Sequence, residues 1–203
     1  MAEPMNICWL DLETTGTDEH AGSIVEVGAV LTAPDLTVLE EIEQVVAPDP
    51  DHWEAMPPRV REMHDRSGLT PLVEEMLDDP LFAFTVEEAD RILRTVLDRH
   101  EVGGRVILGG SGVGHFDSRW LRLHMPRSAK RLTYWPYDVG AVRRFLGTVD
   151  EALVRPAPEG GKAHRGLADA RDHLEEWKQY WWLINGAGTP LRLAAGRYRQ
   201  DEA

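Results

Sequence analysis

The sequence predicts an α/β fold of three layers, in which a central mixed sheet is flanked by helices. Three apolar, β-branched segments come first in the 203-residue chain and are joined by short turns. That pattern indicates an antiparallel meander at one edge of the sheet. Helical segments then alternate with short strands, as in α/β domains. We expect one domain over residues 5–185 and a loosely ordered tail over residues 186–203.

The meander strands are bounded by turn residues. The first begins at Ile7 and is ended by Thr14-Thr15-Gly16, and the others are predicted at residues 23–31 and 37–46. A proline-rich, irregular connection follows at residues 48–58.

Helices are predicted from amphipathic periodicity and from start and stop signals. Thr85 and Glu88 form a capping box at the start of the most regular amphipathic segment, and Gly68 separates two shorter helices. The predicted helices cover residues 59–64, 70–77, 86–99, 116–124, 138–146 and 166–183. Between them we predict a fourth strand at 105–108, a flexible glycine loop at 109–114, an extended piece at 132–135 and a Pro/Gly-rich loop at 155–161.

Composition restricts the class of protein. The formal net charge of -13 excludes a broad basic surface for wrapping nucleic acid, so any such contact is short or relies on metal ions for positive charge. The chain has no apolar run long enough to cross a membrane and no basic, apolar leader, so we expect no membrane partner. Cys8 is the single cysteine, and we expect it to be buried and inert in a reducing cytoplasm.

The first strand carries two carboxylates, Asp11 and Glu13, in an apolar segment. Their i, i+2 spacing on a strand points both side chains to one face. Buried carboxylates need a cationic partner, and a divalent metal ion is the candidate. The alternative is a strand end at which the acids simply reach water.

Two later segments add to these acids. Asp117 follows the glycine loop after the fourth strand, and His164 precedes Asp169 in the first turn of the last helix. Four carboxylates suit two Mg²⁺ or Mn²⁺ ions rather than zinc, and such a pair hydrolyses phosphodiesters. A histidine at this place could take the proton of the attacking water. Each residue alone has an ordinary structural explanation, such as a helix-start aspartate.

The order and spacing of these five residues resemble the DEDD-type 3′→5′ exonucleases of the His subclass. The resemblance covers roughly residues 7–183. It implies an RNase H-like fold, with Asp11, Glu13, Asp117 and Asp169 holding two Mg²⁺ or Mn²⁺ ions and His164 as the general base. Nucleoside 5′-monophosphates would be released from a free 3′ end.

Two further segments, residues 60–69 and 132–139, resemble oligoribonucleases in particular. By that likeness His64 contacts the substrate near the scissile end, and Ser111 helps to hold its 5′-terminal phosphate. Tyr134 would reach into the neighbouring subunit's site in a homodimer. The candidate substrate-binding residues are Thr14, Gly16, His64, Ser111, Tyr134 and Trp135.

The sequence departs from the oligoribonuclease pattern at three positions. Trp135 stands where the family has an arginine, Gly140 where it has a serine, and Thr17 where it has a leucine wedge. The arginine and the serine help to clamp a dinucleotide's 5′ phosphate, and tryptophan cannot bind phosphate bidentately. Trp135 could instead stack on a base, or it could belong to the core or a dimer interface.

The leading interpretation is a metal-dependent 3′→5′ exoribonuclease that acts on short single-stranded RNA. One alternative is a broader exonuclease that trims single-stranded DNA or RNA ends, and another is a non-catalytic nucleic-acid-binding module. An acid-free stretch at residues 118–137 favours the broader enzyme if it lines the approach to Asp117, and is otherwise a solvated helix face and loop. The aromatic stripe of the last helix is more typical of core or dimer packing than of base stacking; it consists of Trp177, Trp181 and Trp182.

Overall fold

A computed structural model describes residues 4–79, 81, 83–156 and 161–185. The sheet has five strands in the order β3-β2-β1-β4-β5. The predicted tail at 186–203 lies outside the described residues.

The three N-terminal strands form the predicted antiparallel meander, which is confirmed. Two short strands extend the sheet in parallel on the other side of β1, so the sheet is mixed. The strands are β1 (Ile7–Thr14), β2 (Ile24–Thr32), β3 (Val38–Val45), β4 (Ile107–Gly110) and β5 (Tyr137–Asp138).

Eight α-helices occur in the described part of the chain. The capping box at Thr85 and Glu88 is confirmed, and Gly68 ends α2 in the left-handed conformation with φ 73°. The helices are α1 (Pro50–Glu54), α2 (Pro58–Ser67), α3 (Leu69–Asp78), α4 (Val86–His100), α5 (Asp117–His124), α6 (Pro126–Ala129), α7 (Val139–Val149) and α8 (Gly166–Asn185). Among the described residues, no helix is long and apolar enough to span a membrane.

Alternate side chains of β1 face the two helical layers. Leu10 and Leu12 belong to a core shared with α4, α5 and α6, whereas Trp9 belongs to a second core shared with α7 and α8. Asp11 and Glu13 lie two and four residues after Trp9, so the alternation of side chains along a strand turns them to the same face as Trp9, which α8 covers. The predicted three-layer architecture is therefore confirmed.

The predicted irregular connection at 48–58 is wrong in part, because it contains α1. The carboxylate of Asp49 accepts hydrogen bonds from the backbone N–H groups of Asp51 and His52 and so caps this helix. Trp53, buried under α2 and α3, provides its apolar contact.

Several predicted boundaries around β4 are also wrong. The strand lies at Ile107–Gly110 rather than at 105–108, because Gly109 is needed for close packing and not for flexibility. A Cβ at Gly109 would lie 2.8 Å from the Trp9 ring. The extended piece predicted at 132–135 contributes only a bridge between Leu132 and Val106, and β5 forms instead at Tyr137–Asp138. Helix α6 was not expected.

The first turn of α8 lies directly against β2. A Cβ built on Gly28 would lie 1.8 Å from the carbonyl carbon of Gly166, and one on Gly166 would lie 2.7 Å from the amide nitrogen of Gly28. The latter Cβ would also lie 3.1 Å from the carbonyl oxygen of Asp11. Only glycine at both positions permits this approach, which brings the start of α8 to the Asp11 end of β1.

Substitution of Gly28 by alanine is expected to destabilise the protein by about 2–3 kcal/mol, because the added methyl group forces α8 away from the sheet. Urea unfolding measures the change. Gly147→Ala in α7 is the matched control, since its Cβ would meet only Val154, at 3.4 Å. There alanine should be neutral or stabilise by up to ~1 kcal/mol. Wild-type stability of Gly28→Ala would contradict the described contact.

Candidate active site

Asp11 and Glu13 lie at the end of β1, where the strand leaves the sheet. The register between β1 and β2 shifts after Glu13, and the Thr14 hydroxyl donates to the carbonyl oxygen of Gly16 at 2.7 Å. Glu13 is almost fully buried, whereas Asp11 is partly exposed. Thr14 and Gly16 thus shape the turn that presents both acids.

Asp117 reaches this cluster from the first turn of α5. Pairing of β1 with β4 ends at Trp9 and Gly109, which leaves the β1 N–H groups that point to the β4 side beyond Trp9 without a partner strand. The Leu12 N–H donates to Asp117 Oδ1 at 3.0 Å. The buried Asp117 carboxylate is therefore fixed beside the β1 backbone.

A buried carboxylate on β2, Glu26, anchors the start of α8. Glu26 is fully buried and accepts a 2.7 Å hydrogen bond from the Gly166 N–H. The Arg165 guanidinium donates to both oxygens of Glu26 at 2.8–3.2 Å. Since Glu26 is the register partner of Glu13, this contact brings the residues around Arg165 next to Glu13.

His164 and Asp169 are the residues brought in by this anchor. His164 has a φ of 52°, a left-handed conformation that is strained for a non-glycine residue and typical of functional sites. Glu13, His164 and Asp169 each offer one possible ligand atom, and these three atoms lie within 4.8 Å of one another. Asp169 is buried, and its Oδ1 has no hydrogen-bond partner among the described residues. The structure thus brings Glu13, His164 and Asp169 together, and Asp11 and Asp117 lie near enough for charge repulsion among these acids to contribute to the raised pKa values of Asp11 and Glu13.

Burial raises the pKa values of all four carboxyls, and repulsion within the cluster adds to this at Asp11 and Glu13. Burial, followed by the charge of Asp169, raises the pKa of Glu13 to about 8, and burial raises that of Asp117 to about 7. Burial together with the neighbouring acids also raises the pKa of Asp11, and burial raises that of Asp169. The cluster is therefore short of positive charge.

Lys162 is a cation beside the cluster, and sequence reasoning did not single it out. Its Nζ lies 3.8 Å from Asp169 Oδ2 and 3.4 Å from His173 Nε2. An ammonium can only donate, so His173 Nε2 accepts and carries no proton. Burial lowers the pKa of His173 to about 3. The positive charge of Lys162 acts in the lowering direction on the pKa of each of the four acids and so offsets part of the rise caused by burial.

His64, predicted to contact substrate, is fully buried behind the acids. Its Nε2 donates to the Thr14 carbonyl oxygen at 3.0 Å, and its Nδ1 lies 3.9 Å from Glu13 Oε2. Its ring stacks on Trp53 at a centroid distance of 6.3 Å. These contacts support the turn at the end of β1. The contact of His64 with substrate stays a prediction.

The remaining predicted substrate-binding residues follow β4 or precede β5 in the chain. Ser111 is half-buried directly after β4, whereas Tyr134 and Trp135 are 84% and 73% exposed in the segment before β5. Their rings meet edge to face at 6.4 Å. Exposure of this size argues against a place for Trp135 in the core.

The side chains of the acid-free stretch at 118–137, a basic stretch with four arginines and one lysine, do not share one environment, and neither do those of the aromatic stripe. Arg131 pairs with Asp98 at 2.6 Å and Arg119 with Glu19 at 3.4 Å, so acids neutralise part of the basic stretch. In α8, Trp177 packs 5.5 Å from Trp9, as a core residue does, whereas Trp182 is 61% exposed.

The donor atoms fit a divalent metal. The carboxylates of Glu13 and Asp169 converge with His164, one buried oxygen of Asp169 lacks a partner among the described residues, and burial and neighbouring acids raise the pKa of Glu13. Oxygen-rich donor groups of this kind suit hard cations such as Mg²⁺. Sites that hold two such ions serve phosphatases, polymerases and nucleases. The fold and the site therefore define the class of protein as a metal-dependent nuclease.

Comparison with known proteins gives the family. The exonuclease family model matches residues 8–176. The oligoribonuclease of Rhodococcus jostii is 31% identical over 176 residues, which cover 86% of this chain and 85% of the relative. The mitochondrial oligoribonuclease of Mus musculus is 30% identical over 173 residues, which cover 85% of this chain and 70% of the relative. The chain belongs to the exonuclease family and within it is oligoribonuclease-like, as the sequence motifs indicated.

Solved structures agree on the fold. Exonuclease I of E. coli in complex with a dA13 oligonucleotide matches with a TM-score of 0.58 at 14% identity, over 96% of this chain and 43% of that chain. Exonuclease I of Methylocaldum szegediense matches with a TM-score of 0.59 at 16% identity, over 90% of this chain and 41% of that chain. This chain thus spans about two fifths of their length. The RNase H-like fold is confirmed.

Sequence reasoning missed four residues that support the site: Glu26, Arg165, Lys162 and His173. One signal was present, since Glu26 is an acid within the apolar segment at 24–27. Arg165 and Lys162 lie beside His164 in sequence, but nothing in their spacing indicates which carboxylate each would meet.

The free energy of unfolding of the metal-free protein is expected to fall as the pH rises from about 6.5 to 8. Glu13 and Asp117 have folded-state pKa values of about 8 and 7, against ordinary values of 4.5 and 3.8. The folded state therefore binds more protons than the unfolded chain in this window, and that stabilisation is lost as the pH rises through the folded-state pKa values. Urea unfolding in EDTA measures the trend.

The window begins at about pH 6.5 because of His64 and His173, whose pKa values are lowered from 6.5 in the folded protein. Below pH 6.5 the unfolded chain binds more protons at these two histidines than the folded protein does. Their contribution to stability therefore rises with pH there and opposes that of the carboxyls. Glu13→Gln should flatten the profile, since it removes one of the titrating carboxyls. A metal-free stability that rises with pH across the window would contradict the burial of these acids.

Proposed function

We propose that this chain is a two-metal-ion 3′→5′ exoribonuclease that hydrolyses short single-stranded RNA to nucleoside 5′-monophosphates. The observation that carries the proposal is the convergence of Glu13, His164 and Asp169 at a buried carboxylate cluster. Membership of the exonuclease family and 31% identity to an oligoribonuclease support the same activity.

The four acids would bind two Mg²⁺ or Mn²⁺ ions, which supply Lewis acidity and an activated water. Glu13 and Asp169 approach from β1 and α8, and Asp117 is held in place by the Leu12 N–H. His164, next to Glu13 and Asp169, is the proposed general base for the water's proton. Lys162 stabilises the acids before metal binds, because its ammonium lies 3.8 Å from Asp169.

Short RNA is the proposed substrate, and a broader 3′→5′ exonuclease on single-stranded DNA or RNA is the second candidate. Trp135 favours the second, since a tryptophan that is 73% exposed offers a sequence-tolerant stacking surface. The net charge of -13 favours short substrates, because a long nucleic-acid backbone needs many cationic contacts.

We place the activity in the cytoplasm, where the thiol of Cys8 stays reduced. This thiol is buried, and burial raises its pKa to about 12.

A homodimer is the proposed assembly, in which Tyr134 reaches the partner's site. Tyr134, Trp135, Phe145 and Trp182 expose large apolar side chains. Large exposed apolar side chains mark protein–protein contacts where they form a contiguous patch, and a dimer interface would cover them.

Asp11→Asn is expected to lower kcat by about 1,000-fold or more in Mn²⁺, and His164→Ala by about 100- to 10,000-fold. The measurement is a time course of product release from 5′-labelled RNA of two, five and twenty nucleotides and from matched DNA, with Mn²⁺ and with EDTA. Faster cleavage of the two-mer than of the five-mer identifies an oligoribonuclease. Equal or faster degradation of the longer strands identifies the broader enzyme.

Asp78→Asn, at the exposed end of α3, is the matched control and should retain wild-type activity. Circular dichroism should show that Asp11→Asn keeps the fold. Full Mn²⁺-dependent activity of Asp11→Asn would contradict the assignment of the metal site. Absence of metal-dependent cleavage in the wild type would favour the binding module.

Sedimentation velocity should give a mass near twice the 22.9 kDa of one chain. Trp182→Ala should weaken the dimer by about tenfold or more, because exposed tryptophans are frequent hot spots of interfaces. Leu72→Ala, on the exposed side of α3, is the control and should leave the mass unchanged. A monomer at micromolar concentration would contradict the proposed assembly.

A further inference from the structure

His173, on α8, is a buried histidine with one ring nitrogen beside the acid cluster. It lies four residues after Asp169, so the two side chains share one face of the helix. The residue is 2% exposed, and its Nε2 lies 4.0 Å from Asp11 Oδ1. An imidazole on α8 therefore reaches the acid of β1, and the proposed reaction gives it no part.

The Nε2 lone pair of His173 faces a cation. Lys162 Nζ lies 3.4 Å from this atom and can only donate, so the proton of the neutral ring is on Nδ1. That Nδ1 is buried and has no hydrogen-bond partner among the described residues. A buried N–H without a partner is unfavourable, so packing alone does not account for a histidine at this position.

The distances suit a metal ion at the same place. Two ligand atoms of one ion, each at ~2.0–2.1 Å from it, lie at most ~4.2 Å apart. The 4.0 Å between His173 Nε2 and Asp11 Oδ1 is within that limit. The Lys162 side chain is 44% exposed, so its ammonium can turn to solvent when a divalent ion enters.

We propose that His173 Nε2 and the Asp11 carboxylate bind one divalent ion together, and that this nitrogen ligand raises the affinity of the site for transition-metal ions relative to Mg²⁺. Imidazole suits transition metals, whereas Mg²⁺ is bound through oxygen. The group of Glu13, His164 and Asp169 stays available for a second ion. The inference rests on the proposed two-metal-ion function, because it assigns a ligand within that site.

Proton NMR of the protein saturated with Co²⁺ tests the assignment. The N–H of an imidazole bound to this paramagnetic ion gives a strongly shifted resonance that disappears in deuterated water. We expect such a resonance in the wild type and in His164→Ala, and its loss in His173→Ser. His20→Ser is the matched control, since His20 is exposed in the turn after β1, and it should keep the resonance.

Isothermal titration with Co²⁺ and with Mg²⁺ measures the metal preference. In His173→Ser the Kd of at least one Co²⁺ ion should rise by about tenfold or more, because a ligand is lost. The Kd values for Mg²⁺ should change by less than about threefold, since Mg²⁺ accepts water in place of a protein ligand. Thermal melting in EDTA should show that the variant is folded.

The wild-type spectrum decides the assignment even if His173→Ser does not fold. A wild type that binds Co²⁺ without a shifted N–H resonance, or a resonance that only His164→Ala removes, would overturn the role of His173 and leave the exoribonuclease function standing. Equal losses of Co²⁺ and Mg²⁺ affinity in a folded His173→Ser would also overturn it. A wild type that binds neither ion would contradict the proposed function as well.

Discussion

The buried contact between Glu26 and the start of α8 is the interaction on which the site depends. Inside the protein, the Glu26 carboxylate accepts hydrogen bonds from the Arg165 guanidinium and from the Gly166 N–H. Glu26 is the register partner of Glu13 and so lies next to it. Removal of one partner of a buried ion pair typically costs ~3–5 kcal/mol. Because Gly28 and Gly166 allow backbone contact at the same point, α8 cannot slide along the sheet. The positions of His164 and Asp169 follow from this contact.

The acid cluster is electrostatically unfavourable by itself. Burial raises the pKa values of its four carboxyls, repulsion within the cluster adds to this at Asp11 and Glu13, and Lys162 offsets only part of the negative charge. Two divalent ions would provide what the chain lacks, and a protein with a net charge of -13 then meets a phosphodiester through metal rather than through a basic surface.

Much of the fold and of the site could be predicted from the sequence because the signals are local. The i, i+2 spacing of Asp11 and Glu13 and the capping box at Thr85 are read over a few residues. Long-range pairings were not predictable: nothing local shows that Arg165 meets Glu26, 139 residues away, or that Trp9 covers Gly109. Glycines accordingly misled the prediction at β4, since the same residue type serves close packing and flexible loops.

We propose that the acids of β1, α5 and α8 hold two divalent ions. Isothermal titration of the metal-free protein with Mn²⁺ tests it most directly, with Asp11→Asn and the control Asp78→Asn measured in parallel. We expect two ions per chain in the wild type and in the control, and the loss of at least one in Asp11→Asn. A wild type that binds no Mn²⁺, or an Asp11→Asn variant that still binds two ions with wild-type affinity, would contradict the claim.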